Sequence, residues 1–548
     1  MATKNSDVIS SSPNALLNDF RGRLIHGSGY DADAIKKKPL IAIANSHTEM
    51  TAGHTHLDRL ADKVKEGILI EGGEYAEFNV PAPCDGVAMG HDGMRYVLAQ
   101  RDLIADIVET HIRSQAFDAV VFIAGCDKIN PGMMMAMGRL DLPGIYLAAG
   151  PGQFNIRNSP KFTSSIDHND YAADPDAMRE SFTCSTCGAC ELMGTANTFQ
   201  CLSEVLGICL PGSANIPGWH SDKLKAARAT GRRAVQLFHQ GVNARQLLTP
   251  TAFANAAKML MAIGGSTNAT LHLPAIAHSA GIKMTLADFE DPSKSMPTLL
   301  AVSPNGPWGL QDVWAAGGMP AVIKVMQDDL DMTAKTADGG TLQDVADRAV
   351  VLNSEVIPPR DKPHRPTGGI AVLRGNLAPD GSVVKQAGVN NDMLKCSGPA
   401  VCFDSEDEAL AGVQGGKVKE GEIIVLRYQG PKGGPGMPEM LGVTLALKHA
   451  GLRNTALVTD GRFSGATSGP CVGHISPEAS DGGLIALIQD GDIIDIDILG
   501  GRLHAQLSDE EIERRRADWK PVEKPVGFGF MDRYRRHVRS ASRGAILD

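Results

Sequence analysis

The sequence predicts an α/β protein, with an N-terminal parallel α/β domain followed by a C-terminal β-rich, barrel-like domain. Three observations carry this. Through the first part of the chain, compact apolar runs alternate with amphipathic helical patterns, the order a parallel sheet requires. A Pro-rich stretch, 353–366, with Pro358, Pro359, Pro363 and Pro366 flanked by charge, then interrupts the pattern. Beyond it the chain turns to short strands separated by glycines. With 548 residues the chain is too long for one ordinary core, and the boundary divides it into domains 1–364 and 365–548.

The elements follow in order. Leu40 to Ala44 is a buried strand, and Asn45-Ser46-His47-Thr48-Glu49 is the polar turn after it. Leu57, Leu60, Ala61 and Val64 recur at the spacing of one helical face, which completes the first half of a βαβ unit. Phe78 to Pro83 reads as a second extended segment. It leads into a glycine-rich loop, 84–94, in which Asp85 and Asp92 offer hard oxygen ligands. Leu103, Ile104, Ile107, Val108 and Ile112 mark the next amphipathic helix. Gly144 to Ala149 is a further short strand.

Between these lies Val120 to Gly132, an apolar run that ends abruptly in Gly125-Cys126-Asp127-Lys128. It reads as a buried strand delivering a thiol, a carboxylate and an amine to its carboxyl end, with Pro131 in the first turn of a following helix. Ligands gather at such strand ends in open α/β sheets. Downstream, Cys184, Cys187 and Cys190 form two overlapping Cys-x-x-Cys units. Thiolates in that pattern suit soft metals, and without a second separated pair they favour iron over zinc. Leu192 to Leu206 reads as a helix, which would put Cys190 at a helix N-terminus. Gly264-Gly265-Ser266-Thr267-Asn268 could hold a carboxylate or phosphate, or cap a helix.

In the second domain, Ile370 to Leu373, Ile423 to Arg427 and Leu457 to Thr459 are short strands. Ile494, Ile496 and Ile498 alternate with aspartates at period two, and Gly500-Gly501 turns the chain back into Leu503, Ala505 and Leu507. Two glycine-rich loops stand out. Residues 430–439 lack the spacing of a P-loop, and residues 460–469 expose Ser464 and Ser468 without a nucleophile elbow. Arg533, Arg535, Arg536 and Arg539 decorate a terminal helix.

A formal charge of -10 with scattered Lys and Arg argues against a nucleic-acid partner. No run is long enough to cross a bilayer, and the polar N-terminus lacks a signal-like apolar core, so a cytoplasmic location and no membrane partner are expected. Ten cysteines in a chain this long do not make a disulfide scaffold.

Taken together and in order, Asp85 to His91, Cys126 to Gly132, Cys187-Gly188-Ala189-Cys190, Gly264 to Asn268, Gly433 to Glu439 and Asp460 to Gly469 resemble the dihydroxy-acid dehydratase and phosphogluconate dehydratase family of iron-sulfur enzymes. The resemblance implies an iron-sulfur hydro-lyase that dehydrates a 2,3-dihydroxy acid, a small-molecule substrate, to a 2-oxo acid. It implies that Cys126 and Cys190 ligate the cluster. Asp85, Asp127, Glu439 and a carbamylated Lys128 would hold Mg2+, and Ser464 would be the catalytic base. Family members with a two-iron cluster carry a third cysteine in the loop matching Thr51-Ala52-Gly53-His54, where this chain has Gly53. That departure points to 4Fe-4S, with 2Fe-2S the alternative, and leaves the remaining ligand open among Cys187, Cys184, Cys84 or none.

Gly433 to Met437 and Val472 to Glu478 are more similar to the branched-chain amino-acid biosynthetic enzymes, which implies 2,3-dihydroxy-3-methyl acids as substrates. The alternative is a sugar-acid (aldonate) dehydratase of the same chemistry. A more distant one is a non-catalytic iron-sulfur protein, which would give Asp85, Asp127, Glu439 and Ser464 no role. A homodimer or higher homo-oligomer is the expected assembly.

Overall fold

The computed structural model describes residues 4–153, 184, 186–465, 467, 469–522 and 524–548. Its N-terminal half is built on four strands, β1 (Leu40–Asn45), β2 (Glu74–Asn79), β3 (Ala119–Ala124) and β4 (Gly144–Ala148), all parallel and in the order β2-β1-β3-β4. β1 and β3 are buried at every position, as strands covered on both faces must be. The helix Leu57–Ile70 buries Leu57, Leu60, Ala61 and Val64, the face that the sequence spacing marks. From β1 the chain goes to β2 on one side, while β3 lies on the other. The carboxyl ends of β1 and β3 therefore flank a topological switch point, where such sheets bind ligands.

Two boundaries differ from the sequence reading. The second strand ends at Asn79 instead of running from Phe78 to Pro83, because Pro81 and Pro83 have no N–H to donate and the Val80 N–H to the Asn45 carbonyl, at 2.9 Å, continues the ladder no further. The helix expected from Leu192 begins at Thr195, with Gly194 in extended conformation before it. Asn197 turns its side chain back onto the carbonyls of Cys190 and Leu192, which holds the preceding loop out of the helix. Cys190 consequently lies in that loop, off the helix N-terminus where the sequence placed it.

The C-terminal half closes into an eight-stranded barrel. Its strands are β5 (Ala371–Gly375), β6 (Ala378–Val384), β7 (Lys395–Phe403) and β8 (Ile423–Leu426), followed after β9 (Glu439–Met440) by β10 (Ala456–Thr459). After β11 (Arg462–Phe463) come β12 (Cys471–Ser476), β13 (Ile493–Asp497) and β14 (Arg502–Ala505), which complete the ring β10-β12-β6-β5-β14-β13-β7-β8. β13 and β14 form the expected hairpin, with Ile494 opposite Ala505 and Ile496 opposite Leu503. Those side chains fill the barrel with Val384, Val425, Val458 and Val472. β9 and β11 stand apart as a two-stranded parallel ribbon.

The two halves are tied through the C-terminal segment. The helix Phe530–His537 buries Met531 and Tyr534 against Leu98 and Ala99 of the helix Met94–Gln115. Arg101, fully buried, donates to the carbonyls of Gly544 and Ala545 and pairs with Asp102 at 2.9 Å. Among the described residues no helix is long and apolar enough to cross a membrane.

Candidate metal and active site

The site grows from the end of β3. Gly125 must be glycine here: a Cβ would fall 2.5 Å from the Ala149 Cβ and 2.7 Å from the Gly53 carbonyl oxygen. The loops that follow β1, β3 and β4 therefore meet at this point, and the next residues, Cys126, Asp127 and Lys128, emerge where they converge. Lys128 caps the helix Ile129–Leu140, which places its side chain at the base of the site with no solvent exposure.

Two distant segments bring carboxylates to it. Asp85 opens a single helical turn, Asp85–Ala88, and Glu439 opens β9. Oxygen atoms of Asp85, Asp127 and Glu439 all lie within 4.8 Å of one another. Lys128 Nζ donates to Asp85 Oδ2 and lies 3.4 Å from Glu439 Oε2 and 3.5 Å from Asp127 Oδ2. Burial pushes the Asp85 carboxyl well above the usual carboxylate range, against the pull of Lys128. Glu439 is also buried, but Lys128 and Arg462 outweigh burial and hold its carboxyl well below that range. With all five groups ionised, three carboxylates face two cations and one negative charge is left over.

Of the groups that fix Glu439, Asn268 belongs to the motif that the sequence offered as a carboxylate holder, while Arg462 was not singled out. The β9–β11 register sets Glu439 opposite Arg462, and Arg462 Nη1 donates to Glu439 Oε2 at 2.6 Å while its Nε donates to the Met437 carbonyl at 2.7 Å. Asn268 Nδ2 approaches Glu439 Oε1 at 3.3 Å and Thr195 Oγ1 at 3.0 Å. Thr195 Oγ1 in turn meets Ser266 Oγ at 3.0 Å. The Gly264–Asn268 motif thus serves the carboxylate cluster from behind. Asp127 is held by the backbone N–H of Ala196, 2.8 Å from its Oδ1, at the start of the helix Thr195–Val205.

Sulfur collects on the neighbouring side. Cys126 is buried, and Cys84, partly buried, is the neighbour with the largest influence on its thiol. Cys126 holds the Cys84 thiol down to about 6, and Cys84 together with burial pushes the Cys126 thiol well up. Cys190 keeps an exposed surface yet is surrounded densely enough for burial to raise its thiol well above the usual value. A wall of a concavity has both properties. The charges acting on Cys190 include Asp127, Cys184 and Cys84. Cys187 is partly buried, and the charge that acts on it is that of Arg59. Ser181, Phe182, Thr183 and Ser185 of the cysteine motif lie outside the described residues.

Ser464 follows directly on β11, half-buried, two residues beyond Arg462, the partner of Glu439 in the ribbon. The adjoining Gly465 packs on the backbone of Gly194 and accepts from Lys385 Nζ at 2.9 Å, so the serine loop abuts the segment that carries Cys190 and Thr195. Ser468 lies outside the described residues. Asp92, offered by the sequence as a further oxygen ligand, is exposed and pairs with Arg95 at 3.3 Å. The glycine loop 430–439 wraps a carboxyl of the chain itself, since the N–H groups of Lys432 and Gly433 donate to Glu478, the latter at 2.8 Å.

The donor chemistry fits two different ions. Three carboxylates with Asp85 Oδ1 buried and without a hydrogen-bond partner suit a hard divalent cation. The neighbouring thiols suit iron.

Comparison with known proteins gives two family models in tandem. Dihydroxy-acid/6-phosphogluconate dehydratase N-terminal matches residues 38–345, and Dihydroxy-acid/6-phosphogluconate dehydratase C-terminal matches residues 355–545. Among curated relatives, a dihydroxy-acid dehydratase of Caldanaerobacter subterraneus is 45% identical over 93% of this chain and 94% of its own length. One of Acetivibrio thermocellus is 44% identical over 96% of this chain and 97% of its own length. One of Methanothrix thermoacetophila is 43% identical over 99% of this chain and 100% of its own length.

Proposed function

The chain belongs to the dihydroxy-acid/6-phosphogluconate dehydratase family, and from that premise we propose that it is a hydro-lyase converting 2,3-dihydroxy acids to 2-oxo acids through an iron-sulfur cluster and Mg2+. The observation that carries this reading is the junction at residues 126–128. There a strand end turns one side chain toward sulfur and the next two toward converging carboxylates.

In this reading Asp85, Asp127, Glu439 and Lys128 hold the magnesium ion. Lys128 contributes as a carbamate, which replaces a cation that repels the metal by an anionic oxygen donor. Arg462 remains as the counter-charge that keeps Glu439 ionised and aimed. Cys126 and Cys190 ligate the cluster. When bound, the two centres supply Lewis acidity, one at the substrate carboxylate and 2-hydroxyl and the other at the departing 3-hydroxyl.

Ser464 is the base that takes the proton from C2. A serine hydroxyl is too weak an acid to do so unaided, and positive charge nearby must favour its alkoxide. Its loop is held by Lys385 through the Gly465 carbonyl, and the adjacent Arg462–Glu439 pairing fixes where the hydroxyl begins. The substrates are 2,3-dihydroxy-3-methyl acids of branched-chain amino-acid biosynthesis, a choice supported by the names of the relatives and by the two motifs that meet where Glu478 caps the 430–439 loop. A cytoplasmic homodimer or higher homo-oligomer of two domains, 1–364 and 365–548, belongs to the same proposal.

Metal removal tests it. Protein purified without oxygen should contain iron, sulfide and magnesium and form 2-oxo acid. Chelation of magnesium or exposure to oxygen should each abolish product formation. Undiminished turnover after both treatments would overturn the proposal.

A further inference from the structure

We propose that Lys385 is a positioning residue for the reaction, its ammonium fastening the loop that carries Ser464 to the segment that carries Cys190. The inference deepens the reading above and rests on it, since it takes Ser464 as the base and Cys190 as a cluster ligand.

Lys385 stands on a rigid root. It follows β6, whose last residue, Val384, lies opposite Ala371 of β5 on one side and Val472 of β12 on the other. The turn that it opens is fixed as well. The Gly388 N–H donates to the Lys385 carbonyl at 3.0 Å, and Gln386 Nε2 donates to the Gly368 carbonyl at 2.6 Å. From this root the chain holds the serine loop at two points. Lys385 Nζ donates to the Gly465 carbonyl, directly after Ser464, at 2.9 Å, and the Gly388 carbonyl accepts from the Gly469 N–H at 2.9 Å.

The same ammonium reaches into the N-terminal half, where Nζ donates to the Met193 carbonyl at 3.4 Å. Met193 lies between Cys190 and Thr195 in the chain and is fully buried, and its own N–H donates to the Ser303 carbonyl at 2.7 Å. The two backbones touch here, for a Cβ at Gly465 would fall 2.9 Å from the Gly194 Cα. Lys385 therefore clamps a contact too close for a side chain to enter. One of its strands leads to the base, and the other leads to a sulfur.

The electrostatics of that grip set it apart from ordinary packing. Lys385 is only 8% exposed, and among the described residues its partners are two carbonyls and no carboxylate. Burial draws its pKa from 10.5 down to about 7, and no neighbouring charge draws it back. An ammonium buried without an anion costs stability, whereas a methionine of similar length in its place would not. A side chain that weakens the fold, yet grips the loops of two reacting groups, is accounted for by their alignment.

The test uses the anaerobically reconstituted holoenzyme in wild type, Lys385→Met, Lys385→Arg, Ser464→Ala and the double variant Lys385→Met with Ser464→Ala. Thermal melting, the contents of iron, sulfide and magnesium, and kcat and KM for 2-oxo acid formation are read for each. Lys385→Met should melt at or above the wild-type temperature and keep wild-type metal contents. Its kcat should fall by about ten- to a hundredfold with KM changed far less, the loss expected when a reacting group is misplaced. Lys385→Arg, which keeps the charge and the donors, should recover part of that loss. In the Ser464→Ala background Lys385→Met should lower kcat by less than about twofold, because effects that pass through one group do not add. Melting well below wild type, wild-type kcat in Lys385→Met, or an equal proportional loss with and without Ser464 would overturn the assignment while leaving the dehydratase reading intact. Full activity in Ser464→Ala would overturn the base and the positioning role with it. A wild-type holoenzyme that forms no 2-oxo acid would overturn the dehydratase reading as a whole.

Discussion

Arg462 donates to Glu439 at 2.6 Å, with the arginine fully shielded from solvent and the glutamate nearly so. The β9–β11 ribbon puts them opposite each other, so the ion pair and the parallel register enforce one another. Removing one partner of a buried pair leaves the other charge stranded. Arg462→Ala is expected to lower the stability of the metal-free protein by about 3 to 5 kcal/mol in a denaturant titration. The double variant Arg462→Met with Glu439→Gln should recover most of that loss. Equal destabilisation by the single and double variants would show that the pair is not the source.

Lys128 decides the charge of the proposed magnesium site. As an ammonium it donates to Asp85 and opposes a second cation. As a carbamate it would join the carboxylates. Magnesium affinity measured calorimetrically should therefore rise at least about tenfold, or about 1.4 kcal/mol, when CO2 is supplied to CO2-depleted protein. Lys128→Arg should show no such response. Indifference of the wild type to CO2 would remove the carbamate from the account.

Ser464 is assigned a proton transfer and no metal. Ser464→Ala should keep wild-type iron, sulfide and magnesium contents while kcat falls by about 10²- to 10⁴-fold, the range of a positioned base. Full activity in this variant would eliminate it as the base.

His54 adds a pH dependence that belongs to the fold. Its ring is buried, and burial lowers its pKa from 6.5 to about 4 although the Ser46 carbonyl accepts from Nδ1. Between those values the unfolded chain binds the proton and the folded chain does not, so stability is fully present above 6.5 and falls as pH drops toward 4. His54→Gln should lessen the slope of stability against pH in that interval by up to about 1.4 kcal/mol per unit. An unchanged slope would mean that His54 is protonated in the folded state.

Much of this molecule is legible in its sequence, and the gaps have physical causes. β1, β3 and β4 are continuous apolar runs, and the Ile494–Ile496 alternation marks one face of β13, so local pattern sufficed for each. β6 did not stand out, because Pro379, Asp380 and Gly381 read as a turn although Val383 and Val384 pair with two neighbours. The site shows the same division. Cys126, Asp127 and Lys128 stand together in the chain, and the family motifs point to Asp85, Glu439, Cys190 and Ser464. The motif ending in Asn268 read as a possible carboxylate holder, but that its partner is Glu439, and that Arg462 faces Glu439 through a strand register, is not written in local spacing. The overestimated helix at Leu192 has a similar origin, since Asn197 pulls the preceding loop back by bonds to two carbonyls that no periodicity reveals.

Under the proposed function, the converging carboxylates and thiols dehydrate branched dihydroxy acids. The direct measurement is kcat/KM for 2-oxo acid formation by anaerobically reconstituted protein, across 2,3-dihydroxy-3-methyl acids and aldonic acids. Branched dihydroxy acids should turn over, with aldonates poor or inert because a polyol tail needs hydrogen-bonding partners where a branched alkyl tail needs an apolar wall. Turnover of aldonates alone, or no 2-oxo acid from either class by protein carrying both metal centres, would contradict it.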